Sequence, residues 1–309
     1  MAKEGVAILG IYVADLAFTA KRQPVMGETI LGSRFAMGPG GKGSNQTVAA
    51  ARSGGKVTFI TKVGKDNFGD AALAMYAKEG VTARIDQLTD TSTGAAYIFL
   101  EEGTGSNAII VVPGAADRIT VADVEKNADA IRNARVFMTQ LEAPLPAGMR
   151  GLELAREAGT TTILNPAPFS PIDDAMLRLV DFATPNESEA SALTGVEVKD
   201  VASARKAADV LLRKGVGAAL ITLGAQGCLL HSAQESEHLQ AITFGKVVDT
   251  TGAGDAFNGG FATALSEGAA TLEAARFGNA TAAISVTRHG TAPSMPKRSE
   301  IQELLARSP

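Results

Sequence analysis

The sequence predicts an α/β fold: a three-layer, doubly wound sandwich around a mainly parallel sheet, with a small β-sheet attached. Three observations carry this. Short, partly β-branched apolar runs recur along most of the 309 residues, as strands covered on both faces should. Amphipathic stretches with helix start and stop signals lie between them. Two segments break the alternation by carrying strand signals with no helix between them.

The predicted core strands are Val6–Ile11, Val57–Val63, Val136–Leu141, Thr161–Leu164, Phe182–Thr184 and Ala218–Leu223. Between them, Phe68–Glu79 stops at Gly80, a fitting helix terminator. Val121–Arg132 follows Thr120, whose partner Asp123 completes a capping signal. Pro146–Glu157 starts on proline and ends before Gly159, and Val201–Lys214 runs from Asp200 to Gly215. The irregular segments, 12–37 and 92–112, hold the strand signals Thr29–Leu31, Arg34–Met37, Ala95–Leu100 and Ala108–Val112. The last two flank a hairpin turn, EEGTGSN. They predict a small β-layer over a core of residues 1–11, 38–91 and 113–309, placed either as a lid or as a plain edge extension.

Composition removes several classes. The charge count, 29 Lys+Arg against 33 Asp+Glu, argues against a nucleic-acid partner. A single cysteine, Cys228, excludes a disulfide framework and a cysteine zinc site. Cys228 reads as a core strand residue, and His231, His238 and His289, too scattered for a metal cluster, as residues of the surface or of the surroundings of a site. No run approaches the roughly 18 apolar residues of a membrane span, and MAKEGVAILG lacks a signal-peptide layout. A soluble, cytoplasmic protein with no membrane partner is expected.

The 33 glycines point to tight turns and to backbone lying against a ligand. The cluster Gly38-Pro39-Gly40-Gly41-Lys42-Gly43-Ser44-Asn45 matches G-x-G-x-x-G formally. It is not the dinucleotide fingerprint, because the next strand ends in Ile60-Thr61-Lys62 without an acid. Nor is it a P-loop, since Lys42 precedes Gly43 and position 36 is Ala. A glycine turn opening a helix over Ser44–Arg52 remains, either plain or with amides and Lys42 holding hydroxyls or an anion.

The second cluster, Asp249 to Gly260, follows a predicted strand at Lys246–Val248 and opens a helix through Leu265. Gly252, Ala253 and Gly254 leave amides free at a helix start, suited to charge on a phosphoryl group in transit. Asp255 is either a general base beside them or a first-turn helix stabiliser. In Thr184-Pro185-Asn186-Glu187-Ser188-Glu189, Asn186 and Glu189 read as a capping box. The alternative is a water-mediated contact with phosphate-bound Mg²⁺.

Taken together, G-G-K-G-S-N near 40, N-x-x-E near 186 and D-T-T-G-A-G-D-A-F-N-G near 249 resemble the ribokinase-like (PfkB-type) family of carbohydrate kinases. Gln140-Leu141-Glu142, Thr222 to Gly227 and Thr287 to Gly290 extend the resemblance along essentially the whole chain. It implies an α/β sandwich with a β-lid, and ATP-dependent phosphorylation of a sugar's terminal hydroxyl. It implies Asp255 as base, and the amides of Gly252, Ala253 and Gly254 as anion hole. Val13, Asp15, Gly41, Lys42, Gly43, Asn45 and Glu142 then match sugar-binding positions. Asn186, Thr222, Gly224, Gly227, Gly254 and Asn279 match nucleotide-binding ones, with Glu189 near Mg²⁺. Asp249, Thr251, Ser285, Arg288, Gly290 and Ser294 match a K⁺ site formed mostly by backbone oxygens. A homodimer joined through lid positions Ile98, Leu100, Ile110 and Val112 is implied as well.

One departure stands out: the family's N-x-D motif reads Val13-Ala14-Asp15 here. An apolar Val13 cannot pair with a sugar hydroxyl, so the sequence predicts a weakened ribose preference or another sugar such as 2-deoxyribose, unless Tyr12 or a water restores the contact. A keto-sugar or nucleoside kinase, or a silent sugar or nucleotide sensor, are the rival functions, and a dinucleotide-dependent oxidoreductase is a more distant one.

Overall fold

A computed structural model describes residues 3–104 and 106–307. Gly105, within the predicted EEGTGSN turn, and the first two and last two residues lie outside the described residues. Thirteen strands follow in chain order: β1 Val6–Leu9, β2 Val13–Ala20, β3 Arg34–Gly40, β4 Val57–Gly64, β5 Thr82–Leu88, β6 Thr93–Glu101, β7 Asn107–Gly114, β8 Val136–Gln140, β9 Thr161–Asn165, β10 Phe182–Ala183, β11 Ala218–Thr222, β12 Cys228–Ser232 and β13 Ser236–Leu239.

Nine of these strands form one sheet in the order β13-β12-β11-β10-β9-β8-β1-β4-β5. Every pair from β5 to β11 is parallel, and only β12 and β13 add on antiparallel. Alternation along β1 splits the core in two. Ala7 and Leu9 join Phe137, Leu152 and Leu211 on one face. Val6 and Ile8 join Phe59, Met138 and Phe261 on the other. Helices Leu145–Ala158 and Val201–Arg213 cover the first face, and Lys42–Arg52 and Ala253–Ser266 the second. The result is a sheet between two helical layers.

The second sheet has four strands in the order β3-β2-β6-β7, with β2 and β6 parallel. Strand β2 begins only three residues after β1 ends, so the two sheets share a continuous stretch of chain.

Several expectations need correction. Thr29–Leu31 is not a strand; Leu31 is 95% exposed, with no sheet to cover it. Lys246–Val248 is not one either. Its β-branched run is solvent-exposed, and the Val248 amide donates to the Val286 carbonyl at a helix end rather than to a neighbouring strand. The expected helix Val121–Arg132 is two helices, Val121–Lys126 and Ala128–Asn133. They break at Asn127, whose side chain donates to the Asp123 carbonyl. Strands β2, β5, β12 and β13 and helices Asp174–Leu177, Thr271–Ser285 and Arg298–Arg307 are additional to the predicted set. The caps predicted at Thr120, Asn186 and Asp200 are all formed.

Candidate active site

The carboxyl ends of adjacent parallel strands place a row of polar groups along one edge of the large sheet. Gln140 closes β8, Asn165 closes β9 opposite it in register, Thr184 follows β10, and Thr222 closes β11. Open α/β sheets bind ligands at this edge. The helix Lys42–Arg52 arrives there from Gly41, whose φ of 87° is the left-handed conformation glycine tolerates. The helix can approach β1 because both facing residues lack side chains. A Cβ on Gly43 would lie 2.6 Å from the Gly10 Cα. Ser44, Asn45, Gln46 and Thr47 are all buried as a consequence.

Asp255 lies one turn into Ala253–Ser266 and is only 6% exposed. Its carboxylate does not cap its own helix. Asn45 Nδ2 donates to Oδ2 at 3.0 Å, and Gln46 Nε2 donates to Oδ1 at 3.0 Å. Burial pushes the acid above the usual carboxylate range, while Lys42 and the two amide donors pull it back. Asp255, Lys42, Gly252, Ala253, Gly254, Asn186, Glu189 and Thr222 line a cavity of about 140 Å³. The acid and the glycine turn therefore share one chamber.

Two further carboxylates stand behind it. Asp15 lies over Gly40, where any Cβ would overlap its oxygens. Burial, and then the charge of Asp255, raise it to about 6. Glu142 Oε2 accepts the Lys42 amide at 2.7 Å. Burial raises it to about 7 against the pull of Lys42, with Asp255 and Asp15 adding to the rise. Val13 shares the Asp15 face of β2 and leans on Gly94, whose Cβ would come within 2.8 Å of Val13 Cγ1. Tyr12 packs edge-on to Tyr76, and burial and then the charge of Asp15 raise its phenol. Two buried polar atoms here have no partner among the described residues: Asn45 Oδ1 and Gln140 Oε1. Such an atom costs about 1–3 kcal/mol until a ligand meets it.

The turn at 252–255 differs from expectation in one amide. Ala253 N–H donates to the Thr250 carbonyl at 3.2 Å. The amides of Gly252, Gly254 and Asp255 have no acceptor among the described residues. Gly252 turns the chain with a φ of 78°, and a Cβ on Gly254 would meet open space.

The strand-end row continues to a second cavity. Asn186 bridges to Thr222, and the Thr222 amide donates to the Pro185 carbonyl at 3.0 Å. Glu189 Oε2 accepts the Asn186 amide at 2.9 Å, so the predicted capping box exists and also faces the chamber. Burial raises Glu189. Gly224 and Gly227 form a tight turn with φ of 51° and 90°. Beyond it, Asn279 Nδ2 donates to the Gln240 carbonyl at 2.7 Å. It lines a cavity of about 460 Å³ with His238, Ile242, Leu272 and Arg276.

Asp249 ties two loops together, accepting the Thr251 amide at 2.9 Å and the Gly290 amide at 3.0 Å. The Ser285 and Ser294 hydroxyls donate to the Ala282 and Thr291 carbonyls, and Arg288 pairs with Glu300. The side chains of Ser285, Arg288 and Ser294 are thus engaged. No group of three or more His, Cys, Asp or Glu side chains is set up to hold a metal among the described residues.

Sequence reasoning missed Gln46, Asn165 and the 238–243 side of the larger cavity. The first had a signal. Ser-Asn-Gln-Thr followed by Val-Ala-Ala-Ala puts polar groups on every face of a helix start that its small residues bury, and such groups must pair with one another or with a ligand.

An acid and unclaimed amides at the strand ends, with a larger cavity at Asn279, define a phosphotransferase class of site. The profile of the pfkB family carbohydrate kinases matches residues 3–298. The chain belongs to that family. It is 40% identical over 304 residues to a ribokinase of Haemophilus influenzae, covering 98% of this chain and 99% of that one. It is 34% identical to a deoxyribokinase of Salmonella typhi over 97% of this chain and 98% of the relative. A solved structure of Arabidopsis thaliana ribokinase complexed with ribose and ATP superposes with a TM-score of 0.92 at 31% identity, covering 99% of both chains.

Proposed function

We propose that this chain transfers the γ-phosphate of ATP to the terminal hydroxyl, O5, of ribose or a closely related sugar. The observation that carries the reading is Asp255: a buried carboxylate sharing a small chamber with the Gly252, Gly254 and Asp255 amides. Asp255 takes the proton of the hydroxyl as its oxygen attacks, and those amides meet the negative charge moving onto the transferred group. Asp15, Glu142, Asn45 and Lys42, with the backbone at Gly41 and Gly43, hold the sugar's other hydroxyls. The unpartnered Asn45 Oδ1 fits such a donor. The Thr222, Gly224 and Gly227 turn and the cavity at Asn279 take the nucleotide.

Glu189, with Asn186 beside it, suits a hydrated Mg²⁺, a hard ion that keeps several waters; when bound, Mg²⁺ supplies neutralising charge to the phosphates. The Asp249, Thr251, Ser285, Arg288, Gly290 and Ser294 loops suit K⁺, because with the Ser285, Ser294 and Arg288 side chains engaged its ligands there would be mainly backbone carbonyls. The small sheet serves as lid and dimer surface. Ile110 and Val112 are 64% and 58% exposed, with Phe35 and Met37 exposed on the same sheet. Ile98 packs inward and Leu100 is half-buried, so those two contribute less. Use of ATP favours a cytoplasmic setting. No helix among the described residues is long and apolar enough to cross a membrane.

A second reading, 2-deoxyribose as acceptor, rests on Val13. An apolar wall leaves a hydroxyl unpaired but accepts a hydrogen. The test is an ATP-coupled assay across ribose, 2-deoxyribose, fructose and nucleosides, with Asp255→Asn alongside. Ribose or 2-deoxyribose is expected to turn over best, and the variant to lose about 10²–10⁴-fold in kcat. Sugar binding without turnover would point to a sensor, and wild-type turnover in Asp255→Asn would remove the base.

A further inference from the structure

The helix Lys42–Arg52 packs against Ala253–Ser266 and buries one side chain, Gln46, that no part of the reading above uses. Gln46 is 0% exposed and touches the acid directly. We propose that Gln46 is a positioning residue for Asp255. A chain of amides starting at a backbone carbonyl fixes its polarity, so that it always offers the carboxylate a donor and never an acceptor. The proposal rests on Asp255 acting as the base.

The direction of each bond follows from the last. The Thr184 carbonyl can only accept, so the Asn165 amide must present Nδ2 to it, at 2.9 Å. Asn165 Oδ1 therefore faces Gln46, which donates Nε2 to it at 3.0 Å. The second hydrogen of that same nitrogen is left for Asp255 Oδ1, also at 3.0 Å. Gln46 Oε1 then points away and accepts Gln140 Nε2 at 2.6 Å. The chain ends at Gln140 Oε1, buried without a donor among the described residues, beside the Gly10–Gly43 contact. A flipped Gln46 would set its oxygen against two acceptors at once, so the network admits one arrangement.

The chemical effect is on the proton the acid must accept. With Asn45 on Oδ2 and Gln46 on Oδ1, both oxygens are held in the carboxylate form by amides. Each keeps a lone pair for the incoming proton. The charges facing Asp255 are Lys42, Asp15, Glu142 and Glu189. Only the first of these favours the ionised acid, so the amides do much of the work against burial.

The experiment measures kcat at saturating sugar and ATP, where the sugar-binding carboxylates are already engaged, from pH 5 to 9 in the wild type, Gln46→Met and Gln140→Leu, with melting temperature as a folding control. In Gln46→Met the acidic limb should move up by about one to two pH units, the loss of a hydrogen bond to a charged group, while KM for ATP stays within about twofold. Gln140→Leu leaves Gln46 Oε1 without its donor, loosening the amide, and should move the limb the same way by less. It touches neither the acid nor its helix, so it carries the test if Gln46→Met does not fold. A uniform fall in rate with the limb unmoved in both variants would overturn the relay and leave Asp255 as base. Asp255→Asn with wild-type turnover would instead overturn the base, and the relay with it.

Discussion

Sugar binding by this protein should depend steeply on pH, and the size of the effect follows from two carboxyls. Asp15 sits at about 6 and Glu142 at about 7, both raised chiefly by burial. A sugar hydroxyl donates best to the ionised forms. At pH 6, half of Asp15 and about one tenth of Glu142 are ionised; at pH 8 nearly all of both are. If binding draws on both groups, affinity at pH 6 is about 20-fold weaker than at pH 8, and binding at pH 6 releases about 1.4 protons. The sign for folding is opposite. Both folded values lie above the ordinary carboxylate range. Their contribution to stability is therefore full below that range and is lost as pH rises through about 6 and 7. Sugar should return part of it at pH 8. Calorimetric titration at pH 6, 7 and 8, in buffers of different ionisation enthalpy, reads affinity and proton release together. A dissociation constant that is flat across the range, with no protons released, would refute the idea that these two carboxylates hold the sugar.

Three other outcomes are expected. Val13→Asn should raise the ratio of kcat/KM for ribose over 2-deoxyribose by about tenfold or more, one restored hydrogen bond in a buried site; an unchanged ratio means this wall does not read the hydroxyl. Exchanging K⁺ for a bulky organic cation should lower kcat without moving the melting temperature greatly, and equal rates in both salts would dismiss the Asp249 loops as a cation site. Ile110→Lys should shift sedimentation toward monomer at micromolar concentration, since a charge in an apolar interface is left unpaired; a wild-type monomer at that concentration would dispose of the dimer.

The layer architecture was readable because its signals are local. The buried strands are unbroken apolar runs, and helices such as Val201–Arg213 announce themselves by a cap at one end and glycine at the other. The errors have local causes too. Strand β5, T-A-R-I-D-Q-L, sits at the sheet edge half in water and carries no apolar run. Lys246–Val248 has β-branched residues but nothing to pair with. In the site, the motif glycines and Asp255 were visible because each motif is contiguous. The Gln46 contacts were not, since they join residues 119 and 209 positions apart. No spacing rule reaches that far; only the fold brings them together.

The row of strand ends has a consequence of its own. Neighbouring strands in a sheet stand about 4.8 Å apart, so the five successive ends from Gly10 to Thr222 span about 19 Å. That distance is set by backbone hydrogen bonds deep in the molecule, not by the loops that contact a substrate. The sheet works as a ruler. Residues of the small sheet such as Val13 are free to change which acceptor is chosen, while the gap between acceptor and donor stays the same.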